Sequence, residues 1–130
     1  MQKSLHENQF YRLLEDHQGF WILERTSKVA DNIELLEEAH LNLWATMRER
    51  VHRKVLLVDL RKARGRNDEA FEKSIAEFRM RVTSRPKKVI MLVRTQLGVM
   101  HVERHARKDG VSLEVYVDEE RALAAALARV

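Results

Sequence analysis

The chain has 130 residues, with 24 Lys and Arg against 20 Asp and Glu and a formal net charge of +4. It contains no cysteine, which excludes disulfides, thiolate metal centres and a cysteine nucleophile. Charged residues at 34% beside hydrophobic ones at 45% describe a globular chain rather than a disordered one, and no stretch approaches the roughly 18 apolar residues of a membrane span.

Length suits one domain over residues 1–130. The opening segment lacks the basic start and apolar run of a secretory leader, so the expected location is cytoplasmic. Gln9 to Leu14 and Phe20 to Arg25 read as two strands. The turn formers of Glu15-Asp16-His17-Gln18-Gly19 join them as a hairpin. A long helix follows, opening at Asp31 with Glu34 three residues on, a spacing that resembles a capping box. Ile33, Leu36, Leu43, Met47 and Val51 recur at helical spacing, with Leu35, Ala39 and Trp44 widening the face, and predict a helix to about His52. His40 falls beside this stripe and is expected to be packed or hydrogen-bonded rather than a ligand.

Val55-Leu56-Leu57-Val58 and Val89-Ile90-Met91-Leu92-Val93 are continuous apolar runs, which suit strands covered on both faces. A helix between them carries Phe71, Ile75, Phe78 and Val82 as its buried stripe. Asn67 or Asp68 caps its start, and Pro86 forbids its continuation. Thr95 opens the next helix, with Val99, Val102 and Ala106 inward and Gly110 as its C-terminal cap. Val111, Leu113, Val115 and Val117 alternate with polar partners, the period of a half-exposed strand near a sheet edge. Asp118 then caps a last helix whose Leu123, Leu127 and Val130 are expected to face inward. The predicted order is β-β-α-β-α-β-α-β-α, an α/β fold with a mainly parallel sheet and an N-terminal hairpin.

Charge is unevenly placed. Residues 61–94 hold 11 basic side chains against 4 acidic ones, enough to attract an acidic protein or an anionic ligand. In a parallel sheet, functional groups gather at the carboxyl ends of the strands. Here those ends supply Asp59, Arg61, Arg64, Arg66 and Asn67 after one central run and Arg94 after the other. Guanidinium forks beside two helix N-termini are the chemistry of partner or anion binding. No Walker loop and no G-x-G-x-x-G is present, and no G-x-S-x-G elbow. Asp59, a lone carboxylate, has pairing with Arg61 or Arg94 as its simplest role and makes no acid–base pair. His101 and His105 have the spacing of two metal ligands, but the intervening Glu103 projects about 200° from His101, away from both. The expectation is surface histidines, no metal and no cofactor. Aromatics do not interleave with the basic stretch, so nucleic acid is not expected as a partner.

Leu57-Val58-Asp59-Leu60-Arg61, Arg64-Gly65-Arg66-Asn67-Asp68, Val93-Arg94-Thr95 and Arg104-His105-Ala106-Arg107-Lys108-Asp109-Gly110, in this element order, resemble a STAS domain, the fold of bacterial anti-sigma factor antagonists. The closer likeness is to an uncharacterised group of bacterial STAS-like proteins and spans roughly residues 9–128. The resemblance implies a non-enzymatic regulatory module whose sheet winds sequentially, one strand after the next. It also implies a phosphorylated Ser or Thr at the start of the helix after the central strand. The equivalent stretch, Arg64 to Ala70, has neither residue, and Ser74 lies two turns into the helix. The docking surface is then expected without the usual phospho-switch.

The expected function is therefore protein binding through the basic loop and Arg94, with an acidic partner. The alternative is a nucleotide or phosphate ligand held by the same loop. Under the first, Arg64→Glu with Arg66→Glu abolishes partner binding with unchanged circular dichroism; native affinity in that variant would refute it.

Overall fold

Val55 to Asp59 are buried without exception, the environment that the continuous apolar run Val55–Val58 requires. They form the fourth of six strands in the computed structural model, which describes residues 2–63 and 69–128. The strands are β1 (Gln2–Glu7), β2 (Tyr11–Asp16), β3 (Trp21–Arg25), β4 (Val55–Asp59), β5 (Lys88–Leu92) and β6 (Glu114–Tyr116). Their spatial order is the chain order. The β1–β2 and β2–β3 pairs are antiparallel, and β3 to β6 are parallel throughout. Four α-helices connect or follow them among the described residues: α1 (Ile33–Met47), α2 (Glu69–Ser84), α3 (Gln96–Asp109) and α4 (Glu119–Leu127).

Parallel neighbours need crossovers of one hand, so three successive crossover helices fall on the same face of the sheet. Leu23, Leu56, Val58 and Met91 meet Leu36 and Leu43 of α1 and Phe71 and Phe78 of α2 there. The alternate side chains Ile22, Leu57, Ile90 and Leu92 point the other way and meet Ala122 and Ala126 of α4. Two apolar layers thus enclose the sheet, one built by three helices and one by a single short helix.

Several local expectations change. β1 was not expected, because QKSLHE holds a single large apolar residue, Leu5. Its place is fixed by backbone pairing with β2 and by the turn at Asn8, whose Oδ1 accepts the N–H groups of Phe10 and Tyr11 at 2.9 Å each. The N-cap of α1 is Asn32 rather than Asp31, its Oδ1 accepting from Leu35 N at 3.0 Å. Either residue type caps well, and the register that buries Leu36, Ala39, His40, Leu43 and Met47 selects the second. α1 also stops at Met47, not His52. A single 3-10 turn over Val51–Arg53 buries Val51 and redirects the chain into β4. In α4 the inward residues are Ala122 and Ala126, with Leu123 half-buried and Leu127 exposed. Small side chains let this helix lie close to the sheet, which moves the buried stripe by one position. Val130 lies outside the described residues, as do Asn67 and Asp68.

His40 is a core residue. It is 5% exposed, stacks on the Phe78 ring at 4.1 Å and 1°, and its Nε2 lies 3.0 Å from Tyr11 Oη. Burial, helped by the charges of Arg25 and Arg81, pushes its pKa down to about 4. Burial likewise pushes the Tyr11 hydroxyl up to about 12. An unfolded chain takes up the His40 proton near pH 6.5, whereas the folded protein resists until about 4. Stability is therefore complete above the first value and lost as pH falls towards the second. Wild type is expected to lose about 3 kcal/mol between pH 7 and pH 4 that His40→Gln does not lose, read from urea unfolding of both at each pH.

Candidate functional site

The strands β3, β4 and β5 all end at one edge of the molecule, and the candidate residues assemble there in part. Asp59 closes β4 at 8% exposure. Its Oδ1 accepts the backbone N–H of Arg61 and the Arg61 Nε–H, each at 3.0 Å. Oδ2 accepts Arg61 Nη2 at 2.8 Å. The chain thus folds back on itself within two residues, and both carboxylate oxygens are occupied by one side chain. Arg61 Nη2 also reaches Glu119 Oε1 at 3.3 Å, in the first turn of α4. Its hydrogen bonds to Asp59, against a smaller opposing effect of burial, hold the guanidinium above its ordinary pKa. Arg61 is a charged pin between the end of β4 and the helix on the opposite face.

The backbone continues the sheet beyond the strand ends. Leu60 N donates to Leu92 O at 2.8 Å, and Val93 N donates to Tyr116 O at 2.9 Å. Lys62 is exposed, 4.0 Å from Glu24. Arg94 is exposed where the chain leaves the sheet, and no ion pair engages it among the described residues. Thr95 then caps α3, its Oγ1 accepting from Gly98 N at 3.0 Å. Arg64, Arg66 and Asn67, the remaining candidates, lie outside the described residues. The geometry therefore joins Asp59 to Arg61 in a closed pair and, among the described residues, leaves Arg94 without an ion pair.

Two large apolar residues of α3 follow Arg94 in the chain and stay in solvent. Leu97 is 75% exposed and Met100 58% exposed. Helical spacing puts both on the face opposite Val99, Val102 and Ala106, in line with Arg104 and Lys108. That signal was present in the sequence: two large apolar residues off the inward stripe of an otherwise amphipathic helix.

His101 and His105 touch, with Nε2 atoms 3.2 Å apart and rings nearly perpendicular. The His105 pKa is lowered, chiefly by burial and then by Arg79. Among the described residues no third histidine or carboxylate joins them in a group able to hold a metal. None of the described helices is long and apolar enough to cross a membrane. Set against known proteins, the chain matches no family model, no curated protein and no solved structure.

Asp59→Asn removes the anion that holds Arg61 and leaves a nearly buried amide facing the guanidinium. The expected loss is about 1–2 kcal/mol in urea unfolding, at the low end for charge-assisted bonds because Arg61 is partly solvated. Glu119→Gln, on the solvated side of the same arginine, is expected to change stability by less than about 0.5 kcal/mol.

Proposed function

We propose that this protein is a non-enzymatic regulatory module that binds an acidic protein partner through the carboxyl edge of its sheet and the outer face of α3. The supporting observation is the exposure of Leu97 and Met100 in the first two turns of α3, just after the exposed Arg94 in the chain, with Arg104 and Lys108 further along the same helical face. Basic groups and solvated apolar side chains on one helix face suit a protein surface: the apolar contacts supply affinity, and the basic groups set encounter rate and partner choice.

The sequential winding of the sheet supports the same reading. It offers no topological switch point, and therefore no crevice of the kind that seats nucleotides in doubly wound sheets. Arg61, a principal candidate for an anion site, already spends its fork on Asp59. Sequential order is also what the resemblance to STAS domains implies, and on that analogy the partner is a bacterial regulator of the anti-sigma class. Phosphate acts on such surfaces by adding charge; here the sequence itself supplies four basic residues, Arg61, Lys62, Arg64 and Arg66, between β4 and the start of the next helix.

The test is affinity capture from the source organism's lysate, with wild type beside an Arg94→Glu, Leu97→Asp double variant. Both side chains are exposed, so circular dichroism should be unchanged. An acidic protein retained by wild type and lost by the variant is the expected result. Equal retention by both, or no specific protein with either, would overturn the assignment of this face.

A further inference from the structure

None of the 14 residues of α3 is buried, although the helix lies over the sheet face that α1 and α2 cover. Its inward residues Val99, Val102 and Ala106 are only half-buried. Beneath them, between α2, α3 and the sheet, is a cavity of about 360 Å³. Its wall is mostly apolar, with Val58, Phe78, Met91, Val102 and Leu113 prominent. Native interiors hold few voids larger than a water molecule, so a space of this size under an amphipathic helix is the form of a binding site.

At the β3 end the same cavity is lined by Arg25. The guanidinium is half-buried and lies 5.4 Å from the centroids of both the Phe10 and Tyr11 rings. Its Nη1 donates to the carbonyls of Phe10, Thr26 and Lys28 at 3.3, 2.8 and 2.9 Å. Among the described residues no carboxylate pairs with it, whereas the other arginine of the lining, Arg79, is held by Asp109 at 3.0 Å. Burial lowers the Arg25 pKa, which is the cost of desolvating a cation without a counter-charge.

We propose that this cavity binds a small amphipathic carboxylate, with the carboxylate against Arg25 and an aliphatic chain running under α2 and α3 towards Leu113. The site is separate from the outer face of α3 and does not depend on the partner reading above. Length follows from the fold. From β3 to β6 are three inter-strand gaps, about 14 Å. The volume agrees: a dry cavity of about 150 Å³ holds benzene, so the present one accommodates a chain of about ten carbons. Medium-chain fatty acids fit both measures.

Sodium decanoate, kept below its micelle concentration, is the probe, with decanol as the uncharged control of equal length. One-to-one binding is expected by calorimetry, together with a raised melting temperature and shifts of the Met91 and Val102 methyl signals. Decanol is expected to bind about tenfold more weakly, the worth of one charge-assisted hydrogen-bonded contact. Ala106→Trp, which fills the cavity from a half-buried position, should abolish binding. Wild-type methyl shifts decide the matter should that variant fold poorly. No saturable binding, or binding that leaves the Met91 and Val102 methyls unmoved, would overturn the site. Equal affinity for decanol and decanoate would overturn the role of Arg25 and with it the carboxylate.

Discussion

The parallel pairing of β3, β4, β5 and β6 in chain order is the constraint on which the remainder of the molecule rests. Each parallel step requires a crossover, and crossovers of one hand stack α1, α2 and α3 on one side. The opposite side then has to be closed by whatever follows β6. That is α4, nine residues long and able to approach the sheet only because Ala122 and Ala126 face it. The β4 residues alternate between these two layers, Leu56 and Val58 into one, Val55 and Leu57 into the other. A strand in this position has no polar face, which is why its sequence shows no alternation.

The same constraint concentrates polar chemistry at one edge. Asp59 is the residue at which β4 leaves the core, and its nearly buried carboxylate demands a donor set. Arg61 supplies three N–H groups from two residues away and in doing so reaches Glu119 on the far side of the sheet. One arginine thereby ties the end of β4 to α4 around the rim. Arg94, one strand further on, has no comparable carboxylate partner among the described residues and stays in solvent, just ahead of Leu97 and Met100 in the chain.

Packing weakens from the middle of the sheet outward. α1 and α2 drive Leu36, Leu43, Phe71 and Phe78 into the core, but α3 bridges β5 to a strand of three residues and has less sheet to cover. Its half-buried inward face, the cavity below it and its exposed outer face share this origin. Arg25, on the last strand before the first crossover, marks the other end of that space. At the opposite edge β1 is held by polar ties, with Thr46 Oγ1 3.2 Å from His6 Nδ1, and its charged Lys3 and Glu7 suit an edge that should not pair further.

The sequence by itself determined the elements whose signal is local. The two apolar runs at Val55 and Val89, the Gly19 turn with its positive φ of 104°, the Thr95, Asp118 and Gly110 caps and the core position of His40 could all be read from periodicity and capping chemistry. That Asp59 pairs with an arginine was legible too, but only to within Arg61 or Arg94; the fold chose Arg61. Tertiary structure alone decided the rest. β1 exists because β2 offers an unpaired backbone edge, and backbone hydrogen bonds leave no trace in side-chain pattern. The choice of Asn32 over Asp31, the early end of α1 and the inward turn of Ala122 and Ala126 each follow from which register buries most against the sheet. The cavity beneath α3 is likewise a property of spacing between elements, and the distance at which two helices sit from a sheet is written in no single segment of the chain.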